Sequence, residues 1–553
     1  MITSLHLGNF KAFAKSQNIP IKPITLIFGA NSSGKSSIIH SLALVHEAMR
    51  TGELDQFRTE LGGSSIDLGG FRQYIHRRQT SLRMEWGLSM GTGNFTGRLK
   101  EILEPVDDLA LDIAIGMPLD DQDQPIAGSK PNVISYELES QGETLLRMSK
   151  RPGNLMALDM LPYKHPVVRR LITALLESFT TTGSVTEKDI QALEKPIAEI
   201  IAGLRGRMGA FLPKGIKDDS LDEESAQKLS FFPVSRGTRQ EDLAKAVRFF
   251  LPRALDELIQ ELNTVVHAEI KRLQYLGPLR SYPPRHIAFA DHDDINWRAG
   301  GGYAWDVVRR NKEVRDKVNK WLSDDKKLST HYELLIRNLL TLDDIDADYE
   351  EKIEQIERAY VDDDYDRLGG NNEENIGGDL FGTLYGVLSE IKNKEADLAN
   401  IQELILVDRR TDTQVSHRDV GIGISQVLPV LVSAYGSKSM IVAIEQPEIH
   451  LHPALQAELG DVFIESALAD NNTFLLETHS EHLILRILRR IRETSEGELE
   501  EGATPITPDQ VSVLYVQPDK KGSQVLHIPV NKEGEFDRPW PQGFFAERAR
   551  ELF

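Results

Sequence analysis

The segment Gly29-Ala-Asn-Ser-Ser-Gly-Lys-Ser36 constrains this chain more than any other stretch. It matches G-x-x-x-x-G-K-[ST] in full. Ahead of it lies Ile24 to Phe28, a short apolar run that meets glycine as a buried strand does. Behind it Ser36 to Ala48 reads as a helix, with Ile38, Leu42 and Leu44 on its apolar side. Strand, glycine turn and helix in that order gather backbone N–H groups and the positive end of a helix dipole at one point. Such a point accepts a chain of phosphates. The candidate binding residues are Gly29, Asn31, Ser32, Ser33, Gly34, Lys35, Ser36 and Ser37. Lys35 is expected to reach the β- and γ-phosphates, and Ser36 to ligand Mg²⁺. A chance Gly/Ser loop is the bland alternative, and the flanking strand and helix weigh against it.

A second motif lies far along the chain. Ser439 to Ile444 is an apolar strand that ends in Glu445-Gln446-Pro447-Glu448. A buried strand delivering a carboxylate at its C-terminal end is how phosphate-loop ATPases hold the magnesium shell, and Glu445 takes that role here. Gln446 follows it; an amide orients water but takes no proton from it. Glu448 stands close enough in sequence to substitute as base. His450 and His452 read as a helix entry, since two histidines alone do not complete a metal shell. Thr473 to Glu477 is another apolar strand ending in a polar cluster, and His479 is placed to meet the γ-phosphate region or to be a satisfied structural histidine. Asp419 to Gln426 is a glycine loop in which Gly421 and Gly423 free the backbone and Ser425 sits at a helix start.

Composition narrows the class. The chain has 553 residues, 40% hydrophobic and 27% charged, with a formal net charge of -21. That is a soluble globular composition with room for more than one domain. So acidic a chain does not coat nucleic acid with its whole surface. It has no cysteine, which removes disulfides, thiolate zinc sites and a cysteine nucleophile. The N-terminus alternates like a strand and is no signal peptide. Val427 to Ile444, the most apolar long stretch, is broken by Pro429, Gly436 and Lys438, so no span of a bilayer is expected and the cytoplasm is the simplest location.

The expected organisation is an ATPase N-terminal part at 1–90, a mostly helical insertion at 91–270, an ATPase-linked island at 271–330, a helical and acidic flexible insertion at 331–400, and the ATPase C-terminal part at 401–553. Ile197, Ile200, Ile201, Leu204 and Met208 follow helical spacing, as do Leu255, Leu258, Ile259, Leu262 and Val266 after Pro252 at a helix start. Residues 343–379 are strongly acidic and read as a solvated linker rather than a metal site at Asp362, Asp363 and Asp364.

Taken in order, these motifs resemble the ABC-type ATPases of the SMC, RecF and OLD group. Asn9-Phe-Lys-Ala-Phe13 is similar to that group's opening strand motif. Tyr275-Leu-Gly-Pro-Leu-Arg280, the run Val420 to Leu431, Ile444 to Pro453, Glu477 to Leu483 and Trp540-Pro-Gln-Gly-Phe-Phe545 resemble a bacterial subgroup of AAA-labelled ATPases, many of them encoded in anti-phage operons. The resemblance implies an α/β fold: an ABC-type P-loop ATPase head with an inserted helical domain. It implies ATP and Mg²⁺ as cofactors and a homodimer or higher oligomer in which two subunits sandwich two ATPs. Gly423, Ser425 and Gln426 then belong to the signature, with Lys35 of one subunit facing Ser425 of the other. In such sites the residue after the metal-shell carboxylate is usually the glutamate that polarises the attacking water. Gln446 stands there instead, so slow hydrolysis and a clamp-like use of ATP are expected.

OLD-type relatives carry a C-terminal metal nuclease. After His479 this chain offers strand-like VSVLYV and VLHIPV and only the isolated Asp509 and Asp519, which points to a separate effector. The nearest resemblance is to the ATPase subunit of Septu-type defence systems, including those attached to retrons. It implies an HNH-type nuclease partner and, in retrons, a reverse transcriptase with its RNA–DNA product. Two other readings compete. A RecF-like protein that binds DNA ends would draw on Arg169, Arg170, Arg205, Arg207, Lys271, Arg272, Arg280 and Arg285, which otherwise read as scattered surface charge. A stand-alone nuclease would use Asp291, His292, Asp293 and Asp294, which lack a surrounding motif. If Gln446 positions the attacking water, Gln446→Ala lowers ATP turnover; rapid turnover by that variant contradicts the role.

Overall fold

A computed structural model describes residues 2–151, 155–177, 186–209, 211–218, 239–280, 294–324, 330–339, 401–415 and 422–541, with single residues at 327, 354 and 386. The acidic run at 343–379 falls outside these residues apart from Glu354, as do Arg285, Asp291, His292, Asp293, Asp419 to Gly421 and the segment after Pro541. The chain divides into two compact units. One comprises 1–280, 298–301 and 433–553; the other comprises 281–297 and 302–432.

The first unit holds a six-stranded sheet in the order Leu273–Leu276, Ile441–Glu445, Thr473–Glu477, Ile24–Gly29, Val511–Gln517 and Gln524–His527. Its first five strands are parallel and the last is antiparallel. Ile24–Gly29, Ile441–Glu445 and Thr473–Glu477 are buried at every residue, as an unbroken apolar run in a parallel sheet must be. One strand, Thr473–Glu477, separates the phosphate-loop strand from the Glu445 strand. The helices Lys35–Thr51 and Pro453–Ala469 both lie against Ile24–Gly29 and Thr473–Glu477. Trp540 sets its ring 5.3 Å from that of Phe28, edge to face, beneath the phosphate-loop strand.

Local chemistry fixes the helix ends. The helix Lys35–Thr51 starts after Gly34 at φ 102° and stops at Gly52, φ 85°, whose N–H bonds the Ala48 carbonyl. His452 caps the helix Pro453–Ala469 by accepting the Ala454 N–H at 3.3 Å, with proline at the first turn. His450 is exposed. Ser480 caps the helix Glu481–Glu496 through the Leu483 N–H, and Gly497 closes it in the left-handed region.

A nine-stranded antiparallel sheet completes the unit, in the order Pro213–Asp218, Leu204–Met208, Leu155–Met160, Glu143–Arg151, Asn132–Ser140, Asp108–Gly116, Met84–Gly91, Ile2–Gly8 and Gln17–Pro20. Two helical expectations change here. Residues 91–270 are not mostly helical, because six of these strands lie in them. Leu204 and Met208 belong to a strand that begins where the helix Glu194–Gly203 ends. Pro252 starts no helix and lies inside the 33-residue helix Arg239–Lys271. The expected boundary near residue 91 also disappears, since the sheet runs continuously from Ile2–Gly8 into the insertion.

The second unit carries a three-stranded antiparallel sheet, Tyr332–Leu339, Ile401–Asp408 and Thr413–Val415, with helices Gly302–Arg310 and Lys312–Ser323. The helix Ile422–Tyr435 begins in this unit and ends in the first. The architecture is α/β: a largely parallel sheet carries the phosphate loop, and the insertion mixes strands with helices. Among the described residues no helix is long and apolar enough to cross a membrane.

Two helices after the Glu445 strand are locked by charge. Arg490, 5% exposed, donates to both oxygens of Asp461 at 2.8 and 2.9 Å, and Arg486 adds a third bond to Asp461 at 2.6 Å. Removing Asp461 takes three hydrogen bonds from two largely buried arginines and leaves Glu493 and Glu458 to compensate them. Asp461→Ala is therefore expected to cost about 2–4 kcal/mol in chemical denaturation; a change within about 0.5 kcal/mol, the scale of a plain surface substitution, contradicts the lock.

Candidate nucleotide site

The phosphate loop is held in a shape that only its glycines allow. Gly29 has φ 147°, and a Cβ there would lie 2.5 Å from the Val516 carbonyl oxygen. A Cβ on Gly34 would lie 2.5 Å from that of Ala12, so the Asn9–Phe13 segment rests directly on the loop. Ser523 fixes the loop from the other side by donating to the Ser33 carbonyl at 2.6 Å. Lys35 is buried and curls back, donating to the carbonyls of Gly29 at 3.2 Å and Ala30 at 3.0 Å. Its ammonium also stands 3.8 Å from Glu477. Asn31 and Ser32 are exposed at the tip, while Ser33 and Ser37 are buried.

The parallel register brings the acids to this loop. Glu445 is paired with Glu477, and Glu477 with Ile27, so both carboxylates emerge at the C-terminal sheet edge beside Lys35 and Ser36. Tyr275 donates to Glu445 Oε1 at 3.0 Å. His40 Nε2 lies 3.3 Å from the same oxygen. Lys11 Nζ stands 2.8 Å from His40 Nδ1. An ammonium only donates, so His40 accepts at Nδ1 and carries its proton on Nε2, facing Glu445. Burial keeps His40 below the usual imidazole range and brings Lys11 down to about 8. Glu445 Oε1 thus accepts one hydrogen bond, from Tyr275, with His40 Nε2 close by but making no hydrogen bond among the described residues.

Gln446 sits in the left-handed region at φ 48°. Its N–H bonds the Glu477 carbonyl at 2.7 Å, and its own carbonyl accepts from Arg280 at 3.0 Å. Arg280 also donates to the Glu445 carbonyl at 3.0 Å. This buried arginine is a clamp on the backbone of the second motif, not a nucleic-acid contact. The Gln446 amide is half-buried and makes no hydrogen bond among the described residues. Glu448 is turned toward the Thr478 turn. It is buried, accepts from the Thr478 hydroxyl at 2.8 Å and the His479 N–H at 2.7 Å, and positions that turn. His479 is half-buried, and burial followed by the Lys35 charge lowers its pKa, favouring neutral imidazole.

Gly423, Ser425 and Gln426 belong to the second unit. Ser425 is fully buried inside the helix Ile422–Tyr435, which starts ahead of it, so Ser425 does not cap the helix. Of the arginines weighed for DNA, Arg170 pairs with Glu104, Arg205 bonds the carbonyls of Ala202 and Leu204, and Arg272 pairs with Glu269. Among the described residues no group of three or more His, Cys, Asp or Glu is placed to hold a metal. Mg²⁺ needs no such cage, since it keeps several waters and takes one or two carboxylates plus phosphate oxygens. Ser36 and Glu445 fit that pattern. Glu477, His40 and Tyr275 join the site without having been assigned to it. The available signal was the matched endings IVAIE and TFLLE, two buried strands of equal length that each finish on glutamate.

A glycine-shaped phosphate loop at a helix start, a buried lysine and two carboxylates at one sheet edge make this a candidate nucleotide site. Residues 306–484 match the family model described as AAA ATPase domain, and residues 506–553 match one described as a protein of unknown function (DUF3696). No curated protein matches the sequence. Among solved structures the chain is similar to an Smc head bound to the C-terminal winged-helix domain of ScpA, at 10% identity over 96% of this chain and 98% of that one, with TM-score 0.36. It is also similar to an Smc head with an extended coiled coil, bound to the C-terminal domain of ScpA and derived from Pyrococcus furiosus, at 12% identity over 100% and 98%, TM-score 0.34. The SMC head from Thermotoga maritima gives 9% identity over 96% and 99%, TM-score 0.33.

Glu477 carries a testable electrostatic signature. Burial, then the neighbouring Glu445, pushes its carboxyl up from 4.5 to about 7, against the pull of Ser36 and Lys35. A raised acid binds its proton more tightly in the folded state, so its contribution is greatest at low pH and is lost as pH rises from 4.5 to about 7. In chelator and without nucleotide, Glu477→Gln should flatten this decline, worth up to about 3 kcal/mol across the window. Equal pH slopes for wild type and variant in thermal melts contradict the assignment.

Proposed function

We propose that this protein is a slow ATPase that closes as a dimer around Mg-ATP and uses the closed state to control a partner. One observation carries the reading. The position that follows the metal-shell carboxylate holds Gln446, pinned through its backbone by Glu477 and Arg280 and offering an amide rather than a carboxylate to the attacking water. Lys35 and the glycine-shaped loop bind the phosphates, Ser36 and Glu445 hold Mg²⁺, and His479 meets the γ-phosphate end. The bound cation supplies charge neutralisation between the phosphates. Gly423, Ser425 and Gln426 serve the nucleotide of the other subunit. The partner we favour is an HNH-type nuclease in a bacterial anti-phage system of the Septu or retron kind, supported by the resemblance of Ile444–Pro453 and Glu477–Leu483 to that subgroup. The bacterial cytoplasm is the matching location.

A second reading, DNA-end binding, draws support from one patch. Arg77 bonds the Lys520 carbonyl at 2.7 Å, and exposed Arg77, Arg78, Lys520 and Lys521 thereby share one rim. Strong, salt-sensitive DNA binding by the isolated protein favours this reading over the first.

Turnover separates slow clamping from brisk hydrolysis. The purified protein is expected to turn over below about 1 s⁻¹, the lower edge of ordinary enzymes. Gln446→Glu should raise the rate at least tenfold, and Lys35→Ala should abolish ATP binding. Brisk wild-type turnover, or a Gln446→Glu variant no faster than wild type, contradicts the proposal.

A further inference from the structure

Glu477 has a feature that the nucleotide site as described leaves unexplained. It is 5% exposed, and its Oε2 is buried with no hydrogen-bond partner among the described residues. A buried carboxylate oxygen without a donor is costly, and such oxygens in native proteins are met by something. Its other oxygen already faces Lys35 at 3.8 Å. The adjacent strand end contributes Glu445, in direct register, with Oε1 accepting from Tyr275 and His40 3.3 Å away.

Two carboxylates therefore share one sheet edge beside the Ser36 hydroxyl, and Lys35 divides its single charge between Glu477 and the loop carbonyls. Phosphates arriving on this loop would add negative charge beside an acid that Lys35 no longer neutralises alone. A hard divalent cation answers both demands. It takes oxygen ligands only, accepts one or two carboxylates, and offsets the repulsion between acid and phosphate.

We propose that Glu477 is a further ligand of the nucleotide-associated Mg²⁺, so that the protein holds the cation through Ser36 and two carboxylates, Glu445 and Glu477. This rests on the ATP reading of the same site. The second carboxylate makes nucleotide binding strongly metal-dependent, because without the cation Glu477 repels the phosphates.

Mn²⁺ serves as the probe, titrated by electron paramagnetic resonance into the full chain with and without a non-hydrolysable ATP analogue. Analogue affinity is measured in parallel with Mg²⁺ and in chelator. Glu477→Gln should weaken Mn²⁺ at least tenfold in the analogue complex and should tighten analogue binding in chelator. Glu477→Asp, which keeps the carboxylate, should retain more Mn²⁺ affinity than Glu477→Gln. Mn²⁺ affinity of Glu477→Gln within twofold of wild type, the reverse order of the two variants, or no Mn²⁺ binding by wild type in either state overturns the proposal. Failure of wild type to bind the analogue under any condition sinks the ATP reading instead, and the nucleotide-free Mn²⁺ titration still reports on Glu477.

Discussion

The parallel pairing of Ile441–Glu445 with Thr473–Glu477, and of that strand with Ile24–Gly29, sets Glu445 beside Glu477 and Glu477 beside Ile27. Everything chemical in the first unit depends on that register. A slip of one residue in either pair would turn a carboxylate to the other face of the sheet and bury it among apolar side chains. All three strands are buried at every residue, so their apolar runs alone do not choose a register; the polar strand ends, Glu445 and Glu477, distinguish this pairing from a slipped one. Around the acids the protein then spends its polar groups on backbone and tautomer control: Arg280 on two carbonyls, Glu448 on the Thr478 turn, Lys11 on His40.

The phosphate loop and the Glu445 strand were legible in the sequence because each is a contiguous pattern with a local cause. Glycines at strained positions and apolar runs ending in polar clusters need no knowledge of the rest of the chain. Glu477 was harder to read, since its meaning comes from a neighbour about 30 residues away in sequence and one strand away in space. His40 lies on the exit helix of the loop and reads there as one more polar position; only the fold turns it toward Glu445 and Lys11. Glu448 shows the opposite case. Sequence proximity to Glu445 suggested a base, whereas the turn after Pro447 directs its carboxylate to Thr478 and His479.

The insertion shows where periodicity misleads. Ile197, Ile200 and Ile201 lie on a helix, but Leu204 continues the same spacing into an antiparallel strand, because a run of three to five apolar residues satisfies both periods. Pro252 looked like a helix start, yet it lies within the helix Arg239–Lys271, whose packing against Pro213–Asp218 and its neighbours outweighs the lost hydrogen bond. The nine-stranded sheet joins the N-terminal strand to this insertion, so the phosphate loop and the inserted layers share one hydrophobic core that includes Leu5, Ile38, Trp86 and Leu255. A push on one part of such a core is felt by the others, which is what a nucleotide-driven regulator needs.

The account stands or falls on whether Mg-ATP holds two copies together. The direct measurement is the solution mass of the purified chain by sedimentation, with no nucleotide, with ATP in chelator and with Mg-ATP. The account predicts a rise by one whole subunit or more that requires Mg-ATP and is absent in Lys35→Ala and in Ser425→Arg. A mass that is the same in all three conditions, with nucleotide shown to be bound, contradicts the clamp.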